Sequence, residues 1–319
     1  MNNQCSPGAR LGLFVALLVF FCFGSALAQG QTSRNRPGVG DHSFTETVDV
    51  PSPFVRSYIR NRLGAGMAFD LEIPAIEIGG EPIAGLKGDL LFAILDFEYQ
   101  YAIKDWIAVR ARVLGTGRLG SDTLSLLSQG ITMATGFEFG WLVRLQEREK
   151  TALSLDLNVA NRSFTDLNIA RFADEIVAGV PASLVRKTPS ARMSGGLRFA
   201  WAASPLIGVS ARGSTGYGES VDRTQDDAWF WHVSTAVDFD LRTKTSAPLG
   251  VAVGFKYDSF PEFSGDIADG VYSTFFRFSY LGREDFLLSL DVTQDKIPVS
   301  GSRPDLTGMS VTLSLRYYM

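Results

Sequence analysis

From about residue 64 the chain divides into long runs in which every second residue is apolar, and this period of two constrains the fold more than any other feature. Such alternation is the signature of a strand with two unlike faces. In residues 90–103, Leu91, Ala93, Leu95, Phe97, Tyr99, Tyr101 and Ile103 share one parity, while Asp96, Glu98 and Gln100 share the other. The same split recurs over 106–118, 131–146, 151–162, 191–203, 206–217, 228–242, 248–258, 270–281, 285–294 and 308–319. These eleven runs describe an all-β body.

The connections alternate in length. Short turns sit near Lys104-Asp105, Gln146 to Lys150, Ser204-Pro205, Thr243 to Ala247 and Gly282 to Glu284. Longer loops fall at about 119–130, 163–190, 218–227, 259–269 and 295–307. Tight turns on one side and long loops on the other are the arrangement of a transmembrane barrel, with the turns in the periplasm. For both chain ends to lie on the short-turn side a further strand must precede residue 90. Residues 65–74, with Met67, Phe69, Leu71 and Ile73 against Asp70 and Glu72, supply it. The expectation is a transmembrane antiparallel β-barrel of about twelve strands, an even number.

A soluble barrel with an apolar core is the competing reading, and three features oppose it. The runs reach the ten or so residues that a tilted strand needs to cross a bilayer. Aromatics of apolar parity gather at both ends, as two interfacial girdles would: Tyr99, Tyr101, Trp141, Trp201, Phe239, Tyr280, Phe286 and Tyr317 near the short turns, and Tyr217, Trp229, Trp231, Tyr257 and Tyr272 near the long loops. The opposite parity carries many charged side chains, which a dry core would have to accommodate at high cost.

Upstream, residues 1–28 read as a secretory signal. Arg10 precedes an apolar run from Leu11 to Phe23, and Ala26-Leu27-Ala28 offers a small-x-small cleavage site. Cys5 and Cys22 both fall in this leader, so the exported chain would hold no disulfide and no Cys metal site. Residues 29–63 form a periplasmic N-terminal segment with Pro37, Pro51 and Pro53 and a basic stretch of Arg56, Arg60 and Arg62. It reads first as a flexible tail, with a short amphipathic helix or a small plug as alternatives. Residues 64–319 are the barrel. Within the longest loop, residues 165–180 have helical spacing, with Thr165 or Asp166 as N-cap, Ile169, Phe172, Ile176 and Val180 on one stripe, and Pro181 as a stop. One short helix is expected there, either folded into the barrel mouth or packed on the outer surface.

The chain resembles the superfamily of Gram-negative outer-membrane β-barrels over the leader and residues 64–319. The most specific element of the resemblance is the end, Val311, Leu313, Leu315, Tyr317 and Met319, which is similar to that superfamily's C-terminal assembly signal. Members usually end in Phe, and Met319 departs from this. The resemblance implies a place in the outer membrane, contact with its lipid, and recognition of Leu313, Leu315, Tyr317 and Met319 by the assembly machinery.

Barrel parity places a set of polar side chains in the lumen: Asp96, Glu98, Arg110, Arg112, Glu138 and Arg144; Asp156, Arg192, Arg198, Arg212, His232 and Asp238; and Asp240, Lys256, Asp258, Arg277, Asp291 and Arg316. Register arithmetic pairs Glu98 with Arg110, Asp96 with Arg112, Arg212 with His232, His232 with Asp258 and Ser234 with Lys256. Basic members (Arg192, Arg198, Arg212) facing acidic ones (Asp238, Asp240, Asp258) would set a transverse field across a narrow aqueous bore. Mutual neutralisation of charges that simply fill the barrel is the equal alternative.

Other function classes are poorly served. With 30 Lys and Arg against 34 Asp and Glu the chain is not a nucleic-acid binder. Only His42 and His232 are present, so no multi-His metal site can form. No cofactor motif occurs, and no nucleophile-elbow or phosphate-loop motif. His232, Asp258 and a nearby serine (Ser210, Ser214 or Ser234) only superficially offer a base, an orienter and a nucleophile. The reading is a channel passing small hydrophilic solutes by passive diffusion. A closed structural or interaction barrel is the alternative, and an outer-membrane lipid hydrolase stands behind both.

Overall fold

The computed structural model describes residues 37–78, 81–120, 131–167, 175–176, 178–181, 185–219, 228–259, 270–298 and 305–319. The expected leader lies outside them. Two short strands, β1 (Gly38–Val39) and β2 (His42–Ser43), pair as a minimal hairpin. Twelve long strands follow: β3 (Tyr58–Ile78), β4 (Glu81–Lys104), β5 (Ile107–Gly120), β6 (Ile131–Glu147), β7 (Thr151–Leu167) and β8 (Val185–Ala202), then β9 (Ile207–Gly218), β10 (Ala228–Asp240), β11 (Leu249–Asp258), β12 (Val271–Tyr280), β13 (Phe286–Ile297) and β14 (Leu306–Tyr318). Each pairs antiparallel with its sequence neighbours, and β14 closes on β3, so no sheet edge remains along the wall.

The apolar parity faces outward. Leu95, Val113, Val159, Leu197, Val233 and Leu313 are all exposed, and so are Val311, Leu315, Tyr317 and Met319 at the C-terminal end. Both girdles lie on this exterior. Trp141, Trp201, Tyr280 and Tyr317 are exposed near the short turns, with Tyr217, Trp229, Trp231 and Tyr272 near the long loops. The inward parity holds the charges, with Arg60, Asp96, Glu98, Arg198 and Arg277 buried. Such an inside-out distribution would expose an apolar surface to water, and it suits a wall solvated by lipid.

The barrel begins six residues before the expected boundary at 64. Tyr58 to Leu63 already pair with β14 and β4. The alternation of Ile59 and Leu63 with Arg60 and Arg62 was obscured by Asn61, a polar residue on the outward parity.

The helix expected over 165–180 does not start where its cap residues were placed. Thr165 and Asp166 continue β7 and pair with Lys187 and Arg186 of β8. Of the remainder, Glu175 and Ile176 are helical and Gly179 turns with a φ of 67°. Residues 168–174 and 177 lie outside the described residues.

Residues 37–57 of the N-terminal segment are packed in place. They run inside the barrel, where Phe44, Val50, Phe54 and Val55 are buried against wall residues Ala152, Ala200, Ala236, Phe275, Ala108 and Leu142. We call these residues the plug. A segment of this kind buries its apolar side chains only where the wall leaves room. Gly208 and Gly250 provide that room, because a Cβ at Gly208 would stand 2.4 Å from the His42 ring and one at Gly250 would stand 2.7 Å from Thr45.

Candidate functional site: the plugged, charged lumen

The plug enters at the short-turn end, crosses the bore and returns to become β3. At its start His42 Nδ1 lies 3.0 Å from the Pro205 carbonyl, and its ring packs edge-on against Phe44 with centroids 4.6 Å apart. Burial pushes the imidazole below its ordinary pKa, so the neutral ring donating from Nδ1 is the seated form. Next, Thr45 donates to Asp238 from both its amide (3.1 Å) and its hydroxyl (2.9 Å). Glu46 forms an ion pair with Arg316 and accepts from Tyr318 Oη at 2.6 Å. Asp49 is held by Lys256 Nζ at 3.3 Å. Burial works against the Asp49 charge, but Lys256 and Arg62 outweigh it and keep the carboxyl below its usual range.

On the way back the plug is tied by its carbonyls. Arg198 Nη1 donates to Ser52 at 3.3 Å, Ser154 Oγ to Pro53 at 2.5 Å, and Gln100 Nε2 to Phe54 and Arg56 at 3.2 and 2.9 Å. Prolines at 51 and 53 keep this stretch extended and remove two N–H groups that would otherwise need partners. The ties come from β4, β7, β8, β10, β11, β12 and β14, most of the circumference.

Around and beyond the plug, the wall carries a continuous ionic network across β3 to β9. Asp96 binds Arg60 (3.3 Å), Arg62 (3.4 Å) and Arg112 (2.9 Å). Glu98 accepts from Arg60 at 3.1 Å and from Tyr58 Oη at 2.5 Å. Arg110 joins Glu138 (2.5 Å) and Asn158 to Asp156 (3.7 Å), and Asp156 in turn binds Arg198 (2.6 Å) and Arg212 (3.1 Å). Six arginines share four carboxylates in this group. Asp96 and Asp156 are 1% exposed and Glu138 12%, whereas Arg112 and Arg212 are 19% and 18% exposed. The accessible lumen surface on this side is therefore guanidinium-rich.

The facing arc differs. Lys256 pairs with Asp49 and, at 3.5 Å, with Asp258. Ser273 donates to Asp295 at 2.6 Å, and Arg277 is consumed by Asp291. Asp258 is 36% exposed and stands within electrostatic reach of Arg162, Arg192 and Arg212. Arg192 also lies over the Phe230 ring, 5.8 Å from its centroid.

The inward parity buries Asp96, Glu98, Arg110, Asp156, Arg198, Asp238, Arg277 and Arg316, and some of their partners differ from the register arithmetic. The hairpin β4–β5 has a register shift between Ala102 and Lys104, so Glu98 lies opposite Arg112 and Gln100 opposite Arg110, two places from the expected pairing. The Asp96–Arg112 ion pair still forms, along a diagonal. On β9–β10, His232 lies opposite Ser214 and Arg212 opposite Ser234, a shift of the same size. The pairs His232–Asp258 and Ser234–Lys256 occur as expected. Arg144 is a correction: it sits at the rim by the short turn, bound to Asp105 (3.1 Å) and Glu147 (2.6 Å), both in contact with solvent. It keeps regular register opposite Ser154, three residues from the end of β6, and the strand shift follows it. Asp240 also lies at that end, where it caps the 3-10 turn Leu241–Thr243 and binds Arg242 at 2.6 Å.

Sequence reading missed Asp49, Glu46, Arg60, Arg62 and Tyr318 as lumen groups. Arg60 and Arg62 had the signal of even parity. The two plug carboxylates had none.

His232 Nδ1 lies 2.8 Å from Asp258 Oδ1, and its Nε2 lies 3.1 Å from Ser234 Oγ. The connectivity is that of a nucleophile, base and orienter. Ser234 is buried, however, so its oxygen is not presented to a substrate. Among the described residues no group of three or more His, Cys, Asp or Glu is placed to hold a metal, and no helix is long and apolar enough to cross a membrane.

No known protein-family model matches the chain, and no curated protein matches it in sequence. Solved structures that resemble it include the translocator domain of the autotransporter NalP from Neisseria meningitidis, at 7% identity and a TM-score of 0.49 over 98% of both chains. The NanC porin has 9% identity and a TM-score of 0.47 over 82% of this chain and all (100%) of that one. The Pseudomonas putida toluene transporter TodX has 11% identity and a TM-score of 0.42 over 90% and 96%. The apolar exterior, the two girdles and the closed wall decide the class. This is a transmembrane β-barrel.

Proposed function

We propose that the protein is an outer-membrane channel for small hydrophilic solutes, which pass by diffusion along a charged lumen narrowed by residues 37–57. The observation that carries this reading is the accessibility of the lumen charges beyond the plug. Arg112, Arg212, Lys256 and Asp258 keep contact with water although they point inward. A wall built only to be filled would cover them, as it does Asp96 and Asp156. On this reading the protein is not an enzyme and needs no cofactor. The outward alternation of Leu313, Leu315, Tyr317 and Met319 suits recognition of the last strand by the assembly machinery.

The test is single-channel conductance of the refolded mature protein in a planar bilayer, with a salt gradient. Charge reversal at the accessible positions, Arg112→Glu and Arg212→Glu, should shift the reversal potential toward cations. An unchanged reversal potential in conducting variants would remove the charged lumen from the account. The ties of the plug to so much of the wall favour a second reading, a closed barrel that presents its outer loops to a partner. Silence from a demonstrably folded barrel, with and without residues 37–57, would select it.

A further inference from the structure

The charges beyond the plug are sorted by side. On the arc from β3 to β9 the more exposed groups are Arg62, Arg112 and Arg212 at 16%, 19% and 18%, against 12% for Glu138 and 1% for Asp96 and Asp156. On the arc from β10 to β13 the balance is reversed, because Lys256 serves Asp49 and Asp258 and stands near Asp295 as well. Asp258 acts electrostatically on Arg162, Arg192 and Arg212, and Arg212 lies opposite Ser234, itself opposite Lys256, so the two arcs meet at β9 to β11. The lumen thus presents partly exposed guanidinium groups on one arc and carboxylates on the other, with Asp49 of the plug bound to Lys256 on the second.

A simple anion meets repulsion from Asp258 and Asp295 here, and a simple cation meets it from the arginines. A solute with both charges complements both walls. Arg112 closes its fork on Asp96, whereas Arg212 meets Asp156 through Nη2 alone, and Asp258 keeps 36% exposure beside His232 and Lys256. We propose that the lumen binds a zwitterionic solute between these arcs, with its carboxylate on Arg212 and its ammonium on Asp258. Guanidinium presents forked donors suited to a carboxylate, and an ammonium needs only a point acceptor, so the two ends are distinguished. The inference rests on the channel reading for the solute's route of entry, while binding is measured apart from conduction.

Isothermal calorimetry on the refolded full-length mature protein at low salt provides the test. The probes are ω-amino acids of increasing length, from glycine to 6-aminohexanoate, with hexanoate and hexylamine as singly charged controls. At least one amino acid should bind about tenfold more tightly than either control, the loss of one charge contact corresponding to about 1.4 kcal/mol. Asp258→Asn should erase its advantage over hexanoate, and Arg212→Gln its advantage over hexylamine. Hexanoate binding as well as every amino acid would overturn the proposal in favour of an anion site, and the absence of binding by any probe would overturn it outright. Conductance decides the channel reading independently of these outcomes. Should Arg212→Gln fail to fold because Asp156 is left buried with one partner fewer, Asp258→Asn and the probe series still decide.

Discussion

Arg277 clamps Asp291 through Nε and Nη2, at 2.5 and 2.6 Å, and spends its remaining nitrogen on the plug: Nη1 donates to the carbonyls of Thr45 at 2.9 Å and Glu46 at 2.7 Å. One buried side chain therefore joins β12, β13 and the N-terminal segment. Hydrogen bonds from a charged donor contribute about 1.5–3 kcal/mol each. Arg277→Gln should release the plug locally, and amide hydrogen exchange over residues 44–50 should accelerate by at least tenfold while the wall strands stay protected. Unchanged protection in that segment would show that the carbonyl ties contribute little.

Room for the plug depends on the missing side chain at Gly208. A methyl group there would meet His42 at 2.4 Å and Phe44 at 2.7 Å. Overpacking of this kind costs about 1–3 kcal/mol. Gly208→Ala should therefore speed exchange in residues 38–45 without lowering the stability of the barrel to heat in detergent, since outward packing is untouched. A loss of barrel stability with the plug still protected would contradict this.

Acid should loosen the start of the plug before its apex. The folded pKa of His42 is lowered by burial, so the neutral ring's contribution is complete above the unfolded value of about 6.5 and is lost as pH falls toward the folded value. Protonation would place a second N–H at Nε2, which has no hydrogen-bond partner among the described residues. Asp49 is also lowered, and its contribution persists down to about pH 4, below which it declines. Exchange over residues 38–45 should thus rise between pH 7 and 5.5 while the surroundings of Asp49 hold. His42→Gln should remove that dependence. Equal pH dependence in the variant would assign it to another group.

Charges at the rim and on the exterior should behave differently. Arg144 makes its ion pairs in solvent, and Arg144→Ala should change unfolding in urea by less than about 1 kcal/mol. Val159 faces lipid, and Val159→Arg should cost about 2–4 kcal/mol if it lies near the bilayer midplane. Similar small effects at both positions would count against a lipid-facing exterior.

The wall was legible because each strand repeats one physical rule, lipid on one side and charge on the other, along its length. Leu91 to Ile103 and Phe286 to Val292 state it without ambiguity. Register was less legible: the shift between Ala102 and Lys104 moves Arg112 opposite Glu98, and turn spacing alone does not reveal a bulge. The plug was least legible. Phe44, Val50, Phe54 and Val55 follow no period, because the segment conforms to the irregular inside of a barrel rather than to one flat face. Its acidic residues acquire meaning only beside Arg316 and Lys256, which are hundreds of positions away in sequence.

The account turns on a barrel whose bore is set by its own N-terminal segment. Its most direct test compares single-channel conductance of the mature protein with that of a variant lacking residues 37–57, both shown to be folded. Deletion removes the groups that occupy the short-turn half of the lumen, so conductance should rise severalfold and selectivity should then follow the exposed arginines. Equal conductance in the two proteins would contradict the account, because the plug would then not lie in the path of the ions.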